Sequence, residues 1–121
     1  MTVFGREVGF LLTVGASAEI SELCPDGDIG KLGEALSGKT SATLTNTAGI
    51  IAALSRGYES NRAFSEPGYV PRPLTVQEVL ALPQSVFLAV QKEAVSAYTA
   101  SMQTRVEVEE DKKKDAVTAA P

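Results

Sequence analysis

The sequence contains no histidine, no tryptophan and a single cysteine, Cys24. Without histidine the commonest general base and metal ligand is missing, and neither a Ser-His nor a Cys-His nucleophile pair can be assembled. A zinc site would need one thiolate plus carboxylates, an uncommon donor set, and no spacing of the acids singles out a catalytic pair. One cysteine permits no intrachain disulfide, which suits a reducing compartment. Cys24 falls at the end of a short helical pattern, where the helix dipole raises a thiol pKa. It therefore reads as a small buried apolar residue rather than a reactive one. Long apolar runs are also missing: the longest uncharged stretch, Thr40 to Ser55, is rich in Thr, Ser and Ala, too short and too polar to cross a bilayer. The opening residues Met1 to Glu7 lack the cationic-then-apolar pattern of a signal peptide. Positive charge is not in excess either. Fifteen acidic and eleven basic side chains leave a net charge of −4, which argues against a nucleic-acid-binding face. The expectation is a non-catalytic chain with no cofactor, no metal, no nucleic acid and no membrane among its partners.

What is present is one domain's worth of residues, 121 with 44% apolar, enough for one modest core. Glu7 to Val14 alternates at period two, with Val8, Phe10, Leu12 and Val14 on one face, and reads as a strand. Its partner is open between Thr2–Arg6, the Tyr69-Val70 segment and another subunit. Ala16, Ile20, Leu23 and Cys24 share a face of a short helix that Ser17 is placed to cap and Pro25 with Gly27 ends. Asp28 reads as the N-cap of a second short helix, Ile29 to Leu36, closed by Ser37-Gly38. Leu44, Ala48, Ile51, Leu54 and Tyr58 predict a longer helix over about 42–61. Ser65 to Pro73, with three prolines and a glycine, is an irregular connection. Thr75-Val76-Gln77-Glu78 is a capping box. It opens a short helix that Pro83 interrupts, and Phe87, Val90, Ala94, Tyr98 and Met102 then mark a helix over about 84–103. The fold class expected is mostly α with a small N-terminal β element (α+β), a compact bundle of short and medium helices. Residues 1–103 form one domain on this reading. Residues 104–121, where Lys112-Lys113-Lys114 stands among Glu107, Glu109, Glu110, Asp111 and Asp115, are a solvated, flexible tail.

Two segments invite a functional reading. Gly33-Glu34-Ala35-Leu36-Ser37-Gly38-Lys39-Thr40 matches the G-x-x-x-x-G-K-[ST] phosphate-binding signature. A working phosphate loop leaves a buried strand and enters a helix. Here a turn and a helical pattern precede Gly33, and no later apolar run ends in an Asp to hold magnesium. The segment reads as the closed end of the Ile29–Leu36 helix, with Lys39 near its negative pole. The phosphate-binding alternative predicts nucleotide binding that Lys39→Ala abolishes. The second segment, Phe64 to Leu74, carries Phe64, Tyr69, Val70 and Leu74 where a loop is ordinarily polar. Either these side chains tuck over the core or the loop is an apolar partner site.

The run Leu12-Thr13-Val14-Gly15-Ala16-Ser17-Ala18-Glu19-Ile20-Ser21-Glu22-Leu23-Cys24, followed by the acidic Pro25-Asp26-Gly27-Asp28 turn and Leu32-Gly33-Glu34-Ala35-Leu36, resembles the start of small tail assembly chaperones of long-tailed bacteriophages. Those proteins open with a strand running into a Gly-Ala helix. The central Ile50-Ile51-Ala52-Ala53-Leu54-Ser55-Arg56-Gly57-Tyr58 helix and Pro73-Leu74-Thr75-Val76-Gln77-Glu78-Val79 are similar too. The likeness covers roughly residues 7–103. It implies a non-catalytic assembly factor of the host cytoplasm that binds the tape-measure protein, helps recruit tail-tube protein and is not expected in the mature virion. It also implies a longer product made by ribosomal frameshifting, for which the codons of Lys112–Lys114 are the place to look. A structural head–tail or tail-completion protein is the alternative. No family position carries over as a binding residue. On exposure grounds alone the candidates are Phe64, Tyr69 and Val70, with Val86, Leu88 and Val95 or the N-terminal strand edge as other modes, and self-association is left open.

Overall fold

The chain opens with a hairpin because Phe4-Gly5 can both take positive φ (52° and 75°), as a two-residue turn matched to strand twist requires. A computed structural model describes residues 1–28 and 41–118. Strand β1 (Thr2–Val3) pairs antiparallel with β2 (Arg6–Glu7), in the register Thr2↔Glu7 and Val3↔Arg6. The expected strand over Glu7–Val14 is thus confined to its first residue. Of the partners left open for it, the N-terminal segment is the one used. Residues 8–13 carry the period-two pattern but lie against a helix, which offers no ladder. Only Leu11 N–H finds a helical carbonyl, that of Leu54, at 3.1 Å. Val14, expected on the inward face, is 90% exposed because a helix starts there.

Helix α1 (Val14–Ser21) is capped by Thr13, whose Oγ1 accepts from Ala16 N–H at 3.1 Å, and not by Ser17. It begins and ends earlier than expected. Leu23 and the buried Cys24 follow it in a turn, and a 3-10 turn spans Pro25–Gly27. Burial, and then the Asp28 carboxylate, push the Cys24 thiol pKa up, as a buried structural thiol requires. The helix expected over Ile29–Leu36 and the Gly33–Thr40 match lie outside the described residues. Residues 22–28, which are described, are turn and 3-10 turn without strand.

Helix α2 (Ser41–Ser65) is the axis of the fold. Ile50, Ile51, Ala52, Ala53 and Leu54 are all fully buried, so the helix is enclosed on every side at its middle. Helix α1 crosses it antiparallel, Leu23 over Gly49 and Ala16 over Gly57. Helix α3 (Val76–Leu80) starts at the capping box, with Thr75 Oγ1 accepting from Glu78 N–H at 3.1 Å and Glu78 Oε1 from Thr75 N–H at 3.0 Å. Helix α4 (Gln84–Thr118) places Val90 and Ala94 in the core, with Val86, Phe87 and Tyr98 packed beside them. It runs on to Thr118, past the end expected near residue 103. Among the described residues the fold is mostly α with one small antiparallel sheet at the N-terminus. Val3, Val8, Ile20, Ile51, Leu54, Leu74, Val79 and Val90 share a single core. None of the described helices is long and apolar enough to cross a membrane.

Candidate functional site

Glu66 to Thr75 returns from the end of α2 to the start of α3, alongside α2 itself. It is a loop with few apolar anchors. Leu74 is buried (1% exposed) and Tyr69 and Pro73 are half-buried, while Val70, Pro71 and Arg72 are exposed. What fixes it is a polar stripe on α2. Ser55, Glu59 and Arg62 recur at helical spacing, so they line one face. Ser55 Oγ accepts from Leu74 N–H at 2.9 Å. Glu59, 4% exposed, spends both carboxylate oxygens on the loop. Oε2 accepts from the Tyr69 hydroxyl at 2.6 Å and Oε1 from Arg72 N–H at 3.0 Å. Arg62 lies 4.3 Å above the centre of the Tyr69 ring and donates from Nε to Glu66 Oε2 at 2.9 Å. From the hairpin side, Arg6 donates to the Pro73 carbonyl at 3.3 Å and to Glu78 Oε1 at 2.9 Å.

The three candidates from sequence are not brought together in one patch. Phe64, the penultimate residue of α2, is 94% exposed, and Val70 is 71% exposed. Tyr69 is turned inward as the loop's hydroxyl anchor. Tyr69 and the adjacent Val70 therefore have opposite roles. Tyr69 holds the loop down, and Val70 is what the loop displays between the two points that Glu59 pins. Of the other modes, Val86 is half-buried against the core, while Leu88 and Val95 on α4 are 56% and 39% exposed. Sequence reading missed Ser55 and Glu59, because polar residues inside a helical pattern look like a solvated face. The one signal that could have found them is their i, i+4 spacing beside the fully apolar 50–54 run.

Electrostatics follow from these contacts. The hydrogen bond to Glu59 raises the Tyr69 phenol pKa above its usual range. The hydrogen bond from Arg6, and next the Thr75 amide, hold the Glu78 carboxyl below the usual range. A carboxyl depressed in the fold adds stability above its unfolded pKa of about 4.3, and that share is lost as the pH falls through the lower folded value. Both partners are about 30% exposed, so the contribution is modest. Glu78→Gln is expected to flatten this part of the acid profile. Urea midpoints measured from neutral pH downward should fall less steeply for the variant than for the wild type, and parallel profiles would contradict it. Among the described residues no group of three or more His, Cys, Asp or Glu is placed to hold a metal ion. Comparison with protein-family models, with curated proteins and with solved structures returns no match.

Proposed function

We propose that this protein is a non-catalytic assembly factor of the phage tail, a chaperone of the host cytoplasm that holds the tape-measure protein, helps recruit tail-tube subunits and leaves before the particle is finished. The observation that carries the reading is the end of α2 together with the loop that follows it. Phe64, on the last turn of α2, and Val70, in the loop, are 94% and 71% exposed, and the loop is fixed by hydrogen bonds to a buried carboxylate and hydroxyl. Large apolar side chains held out from a rigid support cost little ordering on binding, so their burial is available as affinity. The resemblance over residues 7–103 supplies the kind of partner. The phosphate-loop match at Gly33–Thr40 lies outside the described residues and does not enter this reading.

Co-expression with the tape-measure protein encoded alongside it tests the proposal. The wild-type chain is expected to retain that protein through purification, and Phe64→Asp with Val70→Asp to lose about tenfold or more of the affinity, as when two exposed apolar side chains that a partner buries are both replaced by charge. The chain is also expected to be missing from purified particles. Its retention there would make it a structural head–tail or tail-completion component instead.

A further inference from the structure

The strap formed by residues 69–74 turns two backbone donors toward α2 and offers no free donor on its other edge. Arg72 N–H donates to Glu59 and Leu74 N–H to Ser55. Ser55 and Glu59 are one helical turn apart, about 6 Å along the axis, and two extended residues span about 6.6 Å. The match shows the strap lying extended and antiparallel along α2. In an extended chain successive backbone groups point to opposite edges, so positions 71 and 73 face away from the helix. Both are proline and have no N–H. The Pro73 carbonyl is already taken by Arg6, and Tyr69 N–H is spent on the Glu66 carbonyl at 3.1 Å. An incoming strand would meet the carbonyls of positions 69 and 71 and no free donor. Strand addition is therefore not the recognition mode here. What the strap displays is side chains: Val70, and the exposed Arg72. Arg72 has no ion-pair partner among the described residues, whereas Arg6, Arg56 and Arg62 each have one.

We infer that residues 69–74 are a fixed-shape epitope read through Val70 and Arg72 by an apolar pocket flanked by carboxylates on the tape-measure protein. This rests on the tape-measure reading above and adds the recognition chemistry to it. The exposed charge on Arg72 supplies the complementarity, and Glu59 acts as a positioning residue that fixes the spacing of the two side chains.

The test uses the full chain co-expressed with the tape-measure protein, in wild type, Val70→Asp, Arg72→Glu and Pro71→Ala forms, alongside amide exchange of the free protein. Val70→Asp and Arg72→Glu are expected to cut retention about tenfold, and raising salt to weaken the wild-type complex. Pro71→Ala, which restores an outward N–H, should leave binding within about twofold. The Arg72 and Leu74 amides should exchange slowly in the unbound protein. Slow exchange failing at both amides would overturn the fixed shape without reference to any partner. Retention that both Val70→Asp and Arg72→Glu keep intact would overturn this inference alone, while failure of the wild type to retain the tape-measure protein would overturn the reading it rests on and the partner assignment with it.

Discussion

Alanine at Gly57 is expected to lower stability by about 2–3 kcal/mol, a fall of roughly 10 °C in Tm for a domain of this size. The sign is the informative part. Gly57 lies within α2, and in an unencumbered helix Gly→Ala stabilises by about 1 kcal/mol. Here a methyl group would drive into the Leu11 carbonyl oxygen and stand 3.0 Å from Thr13 Oγ1 and 3.3 Å from Ala16 Cβ. Backbone on one side and a helix N-cap on the other cannot step back without breaking the Leu11 N–H bond to Leu54 or the Thr13 cap. Gly49, eight residues earlier, is the control. A methyl there would meet the Leu23 Cδ1 atom at 2.8 Å, the far end of a side chain that can rotate, so Gly49→Ala should cost clearly less. Chemical denaturation of the two variants checks the order. A stabilised Gly57→Ala would mean that residues 8–13 do not press on α2 in solution.

Removing the Glu59 carboxylate should cost about 2 kcal/mol, near the lower end for hydrogen bonds to a charged group, because water can reach the half-buried Tyr69 hydroxyl. Glu59→Ala leaves both the Tyr69 O–H and the Arg72 N–H without their acceptor. Glu59→Gln keeps one acceptor oxygen and should cost about half as much. Two readouts localise the effect. Slow exchange at the Arg72 amide should be lost in Glu59→Ala. Ultraviolet titration of the three tyrosines should show the late-titrating one return toward the usual range. For that phenol, a raised folded pKa means its share of stability is present below the unfolded value of about 10 and disappears as the pH climbs through the folded value. Unaltered exchange and an unaltered tyrosine titration would remove Glu59 from the role given to it.

Local signals were legible where a few neighbouring residues settle the outcome. The Thr75/Glu78 capping box, the Pro83 helix start and the Phe87–Val90–Ala94–Tyr98 stripe depend on contacts within one or two turns. The strand expected at Glu7–Val14 was legible only as an extended segment, because period two reports alternating faces and not what lies on either side. Its neighbour turned out to be a helix. The same limit moved the α1 cap from Ser17 to Thr13: both residues are competent, and the choice depends on where residues 8–13 let the chain turn.

Composition and short-range pattern therefore determined the helical class, the Thr75-capped helix start, the buried thiol and the irregular loop after the long helix. Only the tertiary structure decided that Tyr69 faces in and Val70 faces out. That division comes from Glu59 and Ser55, which are ten and nineteen residues away from their partners Tyr69 and Leu74. A polar side chain in a helix is worth burying only if a distant backbone or hydroxyl group arrives to satisfy it, and no local window of sequence contains both halves of that bargain.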